Sequence, residues 1–213
     1  MRYKAILFDM DGTLLDTLTD MEDAVNHILS VHGWPLRTTE EVRVFVGNGA
    51  RRLMERAVPP EVTGGDFETV LTEYRDWYQA HNCVATAPYP GIPALLAALA
   101  EAGIKTAVVS NKPDATTKAL AARFFPGLPA FGQRDDVPPK PAPDLVFRAL
   151  ETLGVDAADA IYVGDSEVDV ATARNAGLPL AAVSWGFRGR RALAEAGAAV
   201  IVDTAAELLE VLR

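Results

Sequence analysis

Four short stretches of the chain carry residue types that can do chemistry together. In Phe8-Asp9-Met10-Asp11-Gly12-Thr13, two carboxylates stand two positions apart where an apolar run ends, and Gly12 permits a backbone turn that would aim both into one cavity. Such a pair suits a hard cation with oxygen ligands, or a nucleophile with a separate general acid–base. An acidic turn leading into a helix, with Asp11 as its cap, is the plainer alternative. Val109-Ser110-Asn111-Lys112 offers a hydroxyl and an amide that can donate to phosphate oxygens beside the N–H groups of a following helix. A loop or N-cap serine reads the same way. Pro139-Lys140-Pro141 holds a lysine in a stiff, non-helical stretch, which suits a charge that must stay fixed, although a lone loop lysine is usually solvated. In Gly164-Asp165-Ser166-Glu167-Val168-Asp169, two acids lie one helical turn apart and can converge on a cation, or simply cap a helix and complement its dipole.

These stretches must be positioned by the elements around them. Lys4–Phe8, Lys105–Val109, Ala160–Val163, Leu180–Val183 and Ala199–Val202 are short apolar runs bounded by Gly, Pro or Asp and separated by helical patterning. That alternation predicts a parallel sheet with helices on both faces. Ligands of such sheets bind beyond the carboxyl ends of the strands, where Asp9, Ser110 and Asp165 all fall. Helical stripes are predicted at Met21, Val25, Ile28 and Leu29, opened by a Thr19–Glu22 capping box; at Phe67, Val70, Leu71, Tyr74 and Tyr78; at Ile92, Leu95, Leu96 and Leu99; and at Leu145, Val146, Ala149, Leu150 and Leu153. From Asp9 to Ile104 there is no strand signal until the very end, far more chain than a single crossover needs. The stretch 16–88 is therefore predicted to be an inserted helical subdomain, with 1–15 and 89–213 forming the main α/β domain. The tail from Ala199 to Arg213 is predicted to add a last strand and helix.

Composition narrows the partners. The formal net charge of −9 argues against nucleic acid and anionic membranes, and it means that an anionic substrate needs a local positive centre. A lone cysteine, Cys83, fits a reducing cytoplasm, and no apolar run is long enough to span a membrane. His81 and Cys83 lack further ligands at metal spacing and are expected to be ordinary subdomain residues.

In order, Asp9-x-Asp11-Gly12-Thr13, Ser110-Asn111, Lys140-Pro141 and Gly164-Asp165-Ser166-x-x-Asp169 resemble the four motifs of the haloacid dehalogenase-like hydrolases. Val46-Gly47-Asn48-Gly49-Ala50, Tyr89-Pro90-Gly91 and Ser110-Asn111-Lys112-Pro113 further resemble the phosphoglycolate phosphatase subgroup. The resemblance implies a Rossmann-like core carrying a helical cap, and a Mg²⁺-dependent phosphatase, most simply of 2-phosphoglycolate. It implies Asp9 as nucleophile forming an aspartyl-phosphate, Asp11 as acid–base, and Lys140 holding the transferring group and keeping Asp9 ionised. Ser110, Asn111 and Gly12 are expected around the phosphate, and Asp9, Asp11 (through its carbonyl), Asp165 and Asp169 around the metal. Arg51 and Arg52, after a glycine-rich junction, are candidates to grip a substrate carboxylate. Trp185-Gly186-Phe187-Arg188-Gly189 reads as an active-site loop or a surface loop with a buried Trp. The expected partner is a small phosphate ester, with the chain acting as a monomer or homodimer. A sugar phosphomutase with the same two aspartates, or a non-catalytic regulatory member of the fold, are the rival readings.

Overall fold

The computed structural model describes residues 2–213. They form two compact units: one built from the chain up to Asp16 together with Pro88–Arg213, the other from Thr17–Ala87.

The first unit is built on a six-stranded sheet in the order β5-β4-β1-β6-β7-β8. Its strands are β1 (Ala5–Phe8), β4 (Lys105–Pro113), β5 (Ala130–Gln133), β6 (Ala160–Gly164), β7 (Leu180–Val183) and β8 (Ile201–Val202). Every pairing is parallel. Phe8 stands opposite Val108 on one side and Val163 on the other, so the residues that follow these strands emerge at one edge. The chain builds outward from β1 in one direction through β4 and β5, then in the other through β6, β7 and β8. That reversal opens a crevice at the carboxyl end of β1.

The central strands are buried on both faces, as a helix-covered sheet requires. The covering helices are α5 (Ile92–Glu101), α6 (Asp114–Phe124), α7 (Asp144–Leu153), α8 (Glu167–Ala176), α9 (Gly189–Glu195) and α10 (Ala205–Leu212). On one face, Ala5, Leu7, Val109 and Tyr162 pack with Leu145, Val146, Ala149 and Leu150 of α7.

Two sequence expectations need correction here. Strand β5 is absent from the apolar runs because it is only half apolar, lies at the sheet edge and contains Gly132. A Cβ at that glycine would come within 2.4 Å of the Asp114 backbone, so the sheet and α6 meet there at glycine distance. Strand β4 continues four residues past Val109 to Pro113, with a register shift against β5 in that extension.

The second unit holds four helices: α1 (Leu18–Val31), α2 (Thr39–Phe45), α3 (Gly49–Ala57) and α4 (Gly64–His81). The predicted stripes are its core: Met21, Val25, Ile28 and Leu29 of α1, and Phe67, Val70, Leu71, Tyr74 and Tyr78 of α4, are all buried. The Thr19–Glu22 box does not form, because α1 starts earlier, from Thr17. The side chain that organises this end is instead Asp20, which is 2% exposed. Its carboxylate accepts the N–H groups of Val84, Ala85 and Thr86 at 3.1, 2.8 and 2.9 Å, and the Thr86 hydroxyl at 2.6 Å. Two short strands, β2 (Leu15–Asp16) and β3 (Ala87–Pro88), pair as a ribbon. Among the described residues no helix is long and apolar enough to cross a membrane.

Asp20→Ala would strand three backbone donors and a hydroxyl. We expect it to cost about 2–4 kcal/mol in urea unfolding followed by tryptophan fluorescence. A cost indistinguishable from that of an exposed surface substitution would mean that Asp20 does not anchor the returning chain.

Candidate active site

Asp9 ends β1, its N–H still tied to the Val163 carbonyl at 2.9 Å. Its Oδ1 accepts the Met10 N–H at 2.7 Å and the Lys140 ammonium at 2.9 Å, which together hold the carboxylate in one orientation. Beyond it the backbone winds tightly, with the Met10 carbonyl accepting the N–H groups of Leu14 and Leu15, both at 3.0 Å. Gly12 sits in this turn at φ +82°, and its N–H donates to the Leu15 carbonyl at 2.9 Å. Gly12, expected near the phosphate, closes the turn beside Asp165. A Cβ there would lie 2.4 Å from Asp165 Oδ2, so the turn and that carboxylate can meet only at a glycine.

The end of β4 supplies three buried polar residues, Ser110, Asn111 and Lys112. Ser110 Oγ accepts the Lys112 N–H at 3.2 Å. Asn111, also expected around the phosphate, has its side chain on the backbone of Lys140. The Asn111 carbonyl oxygen accepts the Lys140 N–H at 2.8 Å, while its amide donates to the Lys140 carbonyl at 3.0 Å. Lys112 donates to both oxygens of Asp11, at 2.9 and 3.0 Å. The sequence shows this lysine only as part of the Ser110-Asn111-Lys112-Pro113 resemblance and gives it no role.

Lys140 is the hub. Besides Asp9, its ammonium reaches Asp169 Oδ1 at 2.8 Å and the Tyr162 hydroxyl oxygen at 3.0 Å, and that hydroxyl donates to the Val109 carbonyl at 3.1 Å. Tyr162 looked like core packing in an apolar strand; the hydroxyl is what links β6 to this network. Asp169 serves α8 as well, since its Oδ2 accepts the N–H and hydroxyl of Ser166 at 3.1 and 2.6 Å in a capping box. The capping alternative for Asp169 is therefore realised, and so is its place in the acidic cluster.

Asp165 is held by the loop after β7. Its Oδ2 accepts the Phe187 N–H at 2.7 Å. Trp185 Nε1 donates to the Thr13 carbonyl at 3.1 Å. A Cβ on Gly186 would lie 2.3 Å from the Gly12 carbonyl and 2.4 Å from Asp165 Oδ2. The Trp-Gly-Phe segment is thus packed directly onto the acidic turn, which favours the active-site reading of that loop.

Carboxylate oxygens of Asp9, Asp165 and Asp169 lie within 4.8 Å of one another, all from buried residues. Burial pushes the Asp9 carboxyl up to about 7, against Lys140 and with Asp169 and Asp11 adding to the rise. Burial, with Asp169 and Asp9 beside it, likewise holds Asp165 well above the usual carboxylate range. Burial alone would lower Lys140, but Asp169 and Asp9 outweigh it and keep the ammonium charged. With Asp9, Asp11, Asp165 and Asp169 all ionised and set against Lys112 and Lys140, two negative charges would be left unbalanced, which, added to burial, is why the buried carboxyls are pushed toward holding protons. A divalent cation fits this set in both donor type and charge.

Arg51 and Arg52 lie on α3, in the helical unit. Arg51 forks onto Glu68 at 2.8 and 2.7 Å, and Arg52 pairs with Glu55 at 2.7 Å. Both guanidinium groups already hold carboxylates of their own unit. His81 stacks on Trp77 and bonds its backbone carbonyl, while Cys83 is a free thiol.

Comparison with known proteins places the chain in a family. The sequence model described as haloacid dehalogenase-like hydrolase matches residues 6–183. The chain is 36% identical over 221 aligned residues to the N-acetylmuramic acid 6-phosphate phosphatase of Pseudomonas aeruginosa, covering 100% of this chain and 96% of that protein. It is 34% identical to the phosphoglycolate phosphatase of Pseudomonas savastanoi pv. phaseolicola, covering 97% and 78%. A crystal structure of a predicted phosphoglycolate phosphatase from Lactobacillus delbrueckii subsp. bulgaricus superposes with a TM-score of 0.94 at 37% identity, covering 100% and 99%. The chain therefore belongs to the haloacid dehalogenase-like hydrolase family, and within it to the phosphatases that hydrolyse phosphoric monoesters.

Proposed function

We propose that this phosphatase transfers the phosphoryl group of a small monoester to Asp9 and then to water, with a divalent cation in the acidic cluster. The observation that carries the reading is the division of three carboxylates between two buried lysines: Lys140 beside Asp9 and Asp169, Lys112 on Asp11. A carboxylate oxygen of Asp9 attacks phosphorus as the ester P–O bond breaks, and Asp11 delivers its proton to the leaving alkoxide. Water then attacks the aspartyl-phosphate, Asp11 takes the proton, and the bond between Asp9 and phosphorus breaks. Lys140 balances charge on the transferring oxygens, and Ser110 offers a hydroxyl at the same edge. Asp9, Asp165 and the Asp11 carbonyl would hold the cation, with Asp169, whose oxygens already carry donors, supporting Lys140. When bound, the cation supplies Lewis-acid polarisation and neutralises phosphoryl charge.

The reading gives substrate choice to the helical unit. 2-Phosphoglycolate is the leading candidate, supported by the names of several relatives at 32–36% identity. N-acetylmuramic acid 6-phosphate is the second, supported by the relative matched over nearly its whole length. A phosphate-release screen with both esters, run with Mg²⁺ and with chelator, separates them. A lone free cysteine fits a cytoplasmic setting.

Asp9→Asn should abolish phosphate release, and Asp11→Asn should lower it by about 10²–10⁴-fold; turnover by Asp9→Asn would overturn the mechanism. Because Glu68 occupies Arg51, a substrate carboxylate would have to displace it. Arg51→Ala or Arg52→Ala should then raise the KM for 2-phosphoglycolate and spare an aryl phosphate, whereas equal effects on both esters would remove the arginines from substrate recognition.

The cation should also reshape stability against pH. A carboxyl raised to about 7 in the fold, from about 4 when unfolded, binds more protons folded than unfolded. In chelator, its contribution is fully present below pH ~4 and is lost as pH rises through about 7. Mg²⁺ competes with that proton, so it should raise the melting temperature more at pH 8 than at pH 5. An increment independent of pH would argue against a cation on Asp9.

A further inference from the structure

The mechanism needs Asp11 twice, once to give a proton and once to take one, and both steps require its carboxylate in one place. Asp11 lies in a turn, partly exposed, on a side chain with two free torsions. In the structure Lys112 holds both of its oxygens. The ammonium forks onto both carboxylate oxygens, at 2.9 and 3.0 Å, and the lysine side chain is 3% exposed against 19% for Asp11. Contact with both oxygens restrains rotation about Cβ–Cγ as well as about Cα–Cβ.

Lys112 is itself braced. Its N–H donates to Ser110 Oγ at 3.2 Å, and its carbonyl accepts the Thr117 hydroxyl at 3.1 Å from the first turns of α6. It stands in the extension of β4 beyond Val109, where the register against β5 shifts. A strand that ended at Val109, as the apolar pattern suggests, would leave this lysine on an unsupported loop.

We propose that Lys112 is the positioning residue for Asp11: it acts on the reaction through that carboxylate and not by binding the phosphate. The inference rests on the acid–base reading of Asp11. It divides the site's lysines, Lys140 serving the nucleophile and Lys112 the acid–base group. A misplacement on the order of 1 Å can cost about 10²-fold in rate, so freeing Asp11 from its fork has a large kinetic effect without any lost contact to substrate.

A double-mutant cycle tests this with Lys112→Met, Asp11→Asn and the double variant, using p-nitrophenyl phosphate as substrate and inorganic phosphate as competitive inhibitor. Melting temperatures establish that each variant is folded. Lys112→Met should lower kcat by about 10²-fold with KM little changed, and the inhibition constant for inorganic phosphate should stay within about twofold. In the Asp11→Asn background, the same change should cost nothing further, because the group it positions is gone. Multiplying losses in the double variant, a weakened inhibition constant, or an unchanged kcat in Lys112→Met would each overturn the proposal. Should Lys112→Met fail to fold, Lys112→Gln, which keeps one donor, carries the same cycle. Full activity in Asp11→Asn alone would instead overturn the acid–base reading beneath it, so the two failures are distinguishable.

Discussion

The structure turns on the crowding of carboxylates around Lys140. Burying one ionised acid costs several kcal/mol unless it is paired, and here Asp9, Asp165 and Asp169 are buried with their oxygens within 4.8 Å of one another. Lys140 compensates part of this by reaching Asp9 and Asp169, and backbone or hydroxyl donors take up much of the rest. Once these carboxyls ionise, negative charge is left over at the end of a parallel sheet. Such an arrangement is poorly suited to stability alone and well suited to holding a divalent cation and a phosphoryl group.

The scaffold follows from that demand. Parallel registers bring β1, β4 and β6 to one edge, so that Asp9, Ser110 and Asp165 arrive there from separated parts of the chain. Close approach is then arranged by glycines: Gly12 and Gly186 leave no room for a side chain between the acidic turn, the loop after β7 and Asp165. Asn111 carries the same logic to the backbone, gripping Lys140 by both its N–H and its carbonyl so that the ammonium is aimed from a fixed base. Function and packing are thus one constraint here, since the residues that orient the cluster also close the core beneath it.

Much of this was legible in the sequence. Asp9 and Asp165 stand out because each ends an apolar run, and Lys140 because two prolines flank it. The helical stripes of α1 and α4 appear in the fold as their spacing predicts, since buried faces impose that period directly. What was not legible has no local signature. Lys112 lies in a recognisable segment but has no role until β4 is seen to continue past Val109; Tyr162 reads as core until its hydroxyl is placed beside Lys140; the Phe187 N–H that orients Asp165 is backbone and belongs to no residue type. Gly12 and Asn111 stand out in the sequence, but that Gly12 admits Asp165 and Asn111 braces Lys140 is visible only in the fold. Thr19 was taken for a helix cap, whereas the helix begins from Thr17 and the neighbouring Asp20 anchors the distant segment 84–86, a contact that no local pattern encodes.

The account stands most directly on the claim that the acidic cluster is a cation site. Calorimetric titration of the metal-free protein with Mg²⁺, beside the Asp165→Asn variant, measures it without reference to turnover. The account predicts one Mg²⁺ bound per wild-type chain, with proton release near neutral pH as Asp9 gives up its proton, and binding lost or severely weakened in Asp165→Asn. Equal Mg²⁺ affinity in the two proteins, or no binding to either, would contradict it.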